Sequence, residues 1–253
     1  MKKLLFILSL FFIILNTVSA EGIKTIKQPY KITASDGFTI NATLEYQKDK
    51  TKMEYKTVVL LHSLGYDSQW WESLPQDLLN KGYAVLTIDL RGHGTSVYNS
   101  KLTRVSWKSM TNKAFEKYPD DVQAVINTII SENKRKFFDN WAIVGVDIGA
   151  STGICIVNKM PNKPKTIVML SPVVKSKGLY IPVKLAEIDN VDILSITGKN
   201  DVAGKKAERY LKKFAQSAFI SYTSESKSTG MLMLKSDETL ANVITAWVAQ
   251  YLK

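Results

Sequence analysis

One cysteine, Cys155, and two histidines, His62 and His93, are all that 253 residues offer of thiol and imidazole chemistry. A single cysteine excludes an intramolecular disulfide, and one thiol with two imidazoles gives no structural zinc pattern. Cys155 lies in the apolar run Gly153-Ile154-Cys155-Ile156-Val157, where it reads as a small buried hydrophobe rather than a reactive group. Arginine is scarce as well: four of the 34 basic residues, the rest being lysine. Arginine is the side chain suited to bidentate phosphate recognition, and no basic stretch interleaves with aromatics, so nothing points to a nucleic-acid partner. Internal repeats, low-complexity tracts and proline-rich linkers are also absent, which leaves one domain. No cofactor motif is present, and none is expected.

The first twenty residues stand apart. Lys2 and Lys3 precede an apolar run over residues 4–15, and Val18-Ser19-Ala20 supplies small residues for cleavage. This is the layout of a secretory signal peptide, and the run is shorter than the ~20 residues of a spanning helix, the uncleaved-anchor alternative. We therefore expect cleavage near Ala20, export to a periplasmic or secreted location, and a mature single domain over residues 21–253. Without Lys2 and Lys3 the net charge is +9. Scattered lysines of this kind read as a solvated surface, with loose attraction to an anionic envelope as the sharper possibility.

Apolar periodicity orders the rest. Residues 30–34 and 38–45 alternate around Ser35-Asp36-Gly37, a tight-turn sequence, and predict an N-terminal hairpin. Buried strands are expected at 56–61, 84–88, 141–144, 166–170, 193–196 and 219–222, with helices at 68–80, 120–130 and 241–252. Strands alternating with helices imply a mostly parallel sheet covered on both faces. In such sheets ligands bind beyond the carboxyl ends of the strands.

One of those ends carries the most informative stretch. Residues 141–153 run from a short strand into Gly145-Val146-Asp147-Ile148-Gly149 and on into a helix. That is a nucleophile elbow, a sharp turn that presents one reactive side chain, with aspartate where serine is usual. Two other strand ends are notable: Leu61-His62-Ser63-Leu64-Gly65 and Asp89-Leu90-Arg91-Gly92-His93-Gly94. The Leu64 and Ile148 amides are candidate oxyanion-hole donors. His62 and His93 could each serve as a base, but their positions favour loop-fixing roles.

With Asp120-Asp121-Val122-Gln123-Ala124, Leu170-Ser171-Pro172 and Ile196-Thr197-Gly198-Lys199-Asn200-Asp201, these stretches resemble the α/β-hydrolase superfamily over essentially the whole mature length. The resemblance is to small bacterial enzymes with a minimal lid, of the dienelactone-hydrolase or esterase type. It implies the α/β-hydrolase fold, and a catalytic triad falling on Asp147, Asp201 and a loop before the last helix. That loop reads Ser226-Lys227-Ser228-Thr229-Gly230 and places Thr229 where the family has histidine. Two of three triad members are thereby replaced.

Three chemistries follow. Asp147 could attack a carbon centre directly, as in superfamily members with Gly-x-Asp-x-Gly, on an ester, epoxide or alkyl halide; without a base to activate water, the covalent intermediate would stall. Ser151 could act from the overlapping motif Gly149-Ala150-Ser151-Thr152-Gly153, at the cost of a buried Asp147 in the sheet. Or the fold is retained for binding a small molecule, with Asp147 filling a strained position that aspartate tolerates. In that case the amides and the helix N-terminus should favour its charged form. The third reading leads.

Overall fold

The computed structural model describes residues 24–253; the expected signal peptide lies outside them. Ten strands occur among the described residues: β1 (Thr25–Thr33), β2 (Thr39–Gln47), β3 (Thr57–Leu61), β4 (Ala84–Asp89), β5 (Trp141–Val146), β6 (Thr166–Leu170), β7 (Lys175–Ser176), β8 (Leu179–Tyr180), β9 (Asp192–Gly198) and β10 (Phe219–Ser224). Eight of them form one sheet in the order β1-β2-β4-β3-β5-β6-β9-β10, while β7 and β8 make a separate small hairpin. β1 pairs with β2, and β2 with β4, in antiparallel fashion. All remaining neighbours in the large sheet are parallel.

The helices are α1 (Leu74–Asn80), α2 (Asn112–Phe115), α3 (Tyr118–Glu132), α4 (Ile148–Ile156), α5 (Ile181–Ala186), α6 (Val202–Leu211), α7 (Leu232–Ser236) and α8 (Leu240–Tyr251). The central strands β3, β5 and β6 are buried at every position because both faces are covered. Along β3, Val59 and Leu61 join a core with α3 and α4 that includes Tyr118, Ile126 and Ile154. Val58 and Leu60 point the other way, into a core with α1 and α8 that includes Leu78, Ile244 and Val248. The period of two thus divides one strand between two cores.

An ion triad centred on a buried arginine fixes the hairpin to this frame. Arg91, 4% exposed, donates to both carboxylate oxygens of Asp121 at 2.8 and 2.7 Å and to those of Asp36 at 2.5 and 3.0 Å. Its guanidinium also lies over the Phe38 ring, 4.5 Å from the centroid. The β1–β2 turn, the loop after β4 and α3 are held by this one side chain.

Two expectations change. The helix expected over 68–80 is broken: a 3-10 turn spans Ser68–Trp71, Glu72 takes φ +51, and α1 begins at Leu74 with Pro75 in its first turn. Burial of Trp71, 1% exposed, and the turn at Glu72 outweigh helical periodicity. The strand expected to end at 144 continues through Gly145 and Val146, which pair with Met169 and Leu170 of β6.

Candidate active site

β5 delivers Val146 to the carboxyl edge of the sheet, and Asp147 turns the chain into α4 with φ +51 and ψ −114. A non-glycine residue rarely adopts a positive φ, and aspartate is among those that do so most readily. The turn is held on both sides: the Asp147 amide donates to the Leu170 carbonyl at 3.0 Å, and its own carbonyl accepts from the Ser151 amide at 3.1 Å. The flanking glycines are required by space. A Cβ at Gly149 would lie 2.0 Å from the Leu61 carbonyl oxygen, and one at Gly145 would lie 2.5 Å from the Ala150 backbone.

The Asp147 carboxylate is largely buried and faces inward to the oxyanion position. Ser63 Oγ, at the end of β3, donates to its Oδ2 at 3.0 Å. The amides of Ile148 and Leu64 act on the same carboxylate and favour its ionised form. These are the two amides expected to receive a substrate oxyanion. Burial nonetheless outweighs them, and the neighbouring Asp201 charge adds to it, so the Asp147 carboxyl is pushed above the usual range. This reverses the expectation of a favoured charged form. The carboxylate makes no capping hydrogen bond to the first turn of α4.

Asp201 follows β9 and caps α6: its Oδ1 accepts from the Gly204 amide at 2.8 Å. Its Oδ2 is buried without a hydrogen-bond partner. In a Ser-His-Asp triad that oxygen would orient the imidazole. Here the residue has a separate structural task, and its second oxygen is left over.

The loop that should bring a base is present in place but not in chemistry. Residues 226–230 pack against the end of β9, where a Cβ on Gly198 would lie 2.3 Å from the Ser228 carbonyl oxygen. The Gly230 amide donates to Ser171 Oγ at 2.8 Å, tying the loop to the end of β6. Thr229 itself is exposed on this loop.

Both histidines are committed elsewhere. His62 is fully buried; Nδ1 donates to the Ser63 carbonyl at 2.8 Å and Nε2 accepts from the Leu90 amide at 2.9 Å. That pattern requires the neutral ring, and burial together with His93 brings its pKa down to about 4. His93 Nε2 accepts from the Gly65 amide at 3.0 Å, Nδ1 lies 3.1 Å from the Arg91 carbonyl, and the ring stacks on Trp107. Burial lowers its pKa as well. An imidazole whose acceptor nitrogen already holds a backbone amide has no lone pair for a substrate proton.

Ser151 packs in the first turn of α4, fully buried, with Oγ 3.3 Å from the Asp147 carbonyl. Cys155 is half-buried further along the same helix, and burial pushes its thiol up to about 11. Among the described residues, no group of three or more metal-ligating side chains assembles. Two residues at the site were not singled out from sequence. Ser63 was one, although it lies within a quoted strand end. Ser171, with φ +46, was the other. Their only sequence signal is position next to a strand terminus.

The fold is shared with known enzymes. An esterase from Exiguobacterium antarcticum superposes with a TM-score of 0.63 at 14% identity, over 87% of this chain and 98% of that one. The Pyrococcus furiosus esterase Pf2001 gives 0.67 at 13% identity, over 90% and 92%. An enol-lactonase from Burkholderia xenovorans gives 0.65 at 13%, over 88% and 99%. At such identities the likeness is one of fold. Among curated proteins none matches by sequence. The serine aminopeptidase S33 family matches residues 53–217, from ahead of β3 to ahead of β10. With the sheet order, the elbow and the strand-end loops, that match makes the chain a member of this α/β-hydrolase family.

Proposed function

We propose that this family member is an exported binding protein derived from a hydrolase, without Ser-His-Asp catalysis. The observation that carries the reading is the Asp147 carboxylate, which occupies the position of the nucleophile, accepts a hydrogen bond from Ser63 and lies within the influence of the Leu64 and Ile148 amides. An ester oxyanion entering this space would meet the Asp147 carboxyl itself and the neighbouring Asp201. No imidazole stands between Asp147 and Asp201 to activate serine or water. A site lined by two buried carboxyl groups favours ligands presenting hydrogen-bond donors or positive charge over carbonyl substrates.

The competing reading, hydrolysis of an ester, epoxide or alkyl halide with Asp147 as nucleophile, is separable by experiment. The purified protein and an Asp147→Ala variant are assayed on short acyl esters, epoxides and haloalkanes, with intact mass followed. The expected result is no turnover and no adduct in either protein. Turnover abolished by Asp147→Ala would replace this reading with an aspartate-nucleophile hydrolase. An adduct without turnover would mark an enzyme arrested at the covalent step, and turnover that survives the change would point to Ser151. The double change Asp147→Ser with Thr229→His tests the placement of the loop: esterase activity is expected to appear.

A further inference from the structure

The amino end of the sheet, opposite the elbow, holds a cleft of about 370 Å³. It opens where Lys56 leads into β3, Gly82 and Tyr83 lead into β4, and Asn140 leads into β5. The six residues of β5 separate Asn140 at this cleft from Asp147, about 23 Å along the strand. Five of its eleven lining residues are lysines, namely Lys52, Lys56, Lys81, Lys136 and Lys253. The whole chain has thirty lysines in 253 residues, and four other clefts carry one lysine each. Lysines are thus concentrated here rather than spread evenly.

Local acids balance only part of this charge. Glu54 and Asp139, the acidic side chains of the lining, both pair with Lys136, at 3.2 and 3.4 Å. Lys52 is held in place by the Gly82 carbonyl at 3.3 Å and lies over the Tyr55 ring. Lys56 and Lys81 have no carboxylate partner among the described residues. A smaller adjoining cleft shares Lys136 and Asp139 and adds Arg135. Tyr83 also lines the larger cleft.

We propose that this floor cleft binds a multiply charged oxyanion of the phosphate class. Several lysines gathered from different loops around one cleft suit a compact ligand with more than one negative charge, since each lysine acts as a point charge. The same chemistry is presented by a soluble phosphate compound and by a lipid headgroup. The site is independent of the elbow and does not rest on what happens there.

Inorganic pyrophosphate titrated calorimetrically into the full protein is the first probe. Vesicles of phosphatidylcholine with and without phosphatidylglycerol are the second, read by co-sedimentation. Lys56→Ala with Lys81→Ala removes two exposed, unpaired charges, and Lys175→Ala with Lys177→Ala, on the β7–β8 hairpin, is the control. Expected is binding that falls at least about tenfold, or 1.4 kcal/mol, in the first pair and is unchanged in the second. Pyrophosphate binding alone supports a soluble ligand, and binding restricted to phosphatidylglycerol vesicles supports a headgroup. Equal loss in both pairs would indicate general charge and overturn the site, as would no binding to either probe. Matching unfolding midpoints of the variants without ligand show that a loss is not a folding defect.

Discussion

At the residue scale, Asp147 carries two opposed demands. Its backbone must hold φ +51, and its carboxyl must live largely buried beside Asp201. Because burial raises its pKa, the folded protein takes up this proton at a higher pH than the unfolded chain does. Stability therefore falls as pH rises from the unfolded value, about 4, through the raised folded one. The substitution Asp147→Asn keeps the shape, tolerates the positive φ and removes the titration. The unfolding midpoint of this variant is expected above that of the parent at pH 7, with the difference closing below about pH 4. Thermal scans at both pH values check this; a lower midpoint at pH 7 would show that the charged carboxylate is the stabilising form.

At the scale of elements, the crossing of α4 over β3 and β5 dictates the glycines. Gly149 sits where any Cβ would overlap the Leu61 and His62 carbonyl oxygens, at 2.0 and 2.5 Å. Gly149→Ala must push α4 off the sheet, and a loss of about 3 kcal/mol in denaturant unfolding is expected, the upper end for overpacking. Gly82, with φ +83 but nothing within 4 Å of its Cβ position, is the contrast. There only left-handed strain is incurred, and Gly82→Ala should cost about 1 kcal/mol. The same crossing explains why the motif reads clearly in sequence: its glycines answer to backbone geometry whatever side chain stands between them. The helix expected over 68–80 was less legible, because the turn at Glu72 and the burial of Trp71 depend on partners distant in sequence.

At the scale of the whole molecule, buried imidazoles set the acid limit of stability. His62 lies at the junction of β3 and the loop after β4, and only broad unfolding frees it. With a folded pKa of about 4 against 6.5 unfolded, the unfolded chain binds the proton first as pH drops. Stability from this group is full above about pH 6.5 and declines by about 3 kcal/mol toward pH 4. Asp147 titrates with the opposite sign over part of that window, so the comparison must be with a His62→Gln variant, which retains an acceptor for the Leu90 amide. Its stability is expected to vary less between pH 6.5 and 4 than that of the parent; an unchanged slope would place the acid sensitivity elsewhere.

Sequence by itself determined the strand–helix alternation, the N-terminal hairpin, the elbow at Asp147 and the presence of only two imidazoles. Each of these is local, written in a period, a turn or a count. Only the tertiary structure decided how those imidazoles are used, since the amides that occupy His62 and His93 come from Leu90 and Gly65, 28 residues away in each case. It also decided that Ser63 would meet Asp147, 84 residues distant. The protonation preference of Asp147 belongs to the same class: amides favour charge, burial opposes it, and burial is a property of the packed molecule.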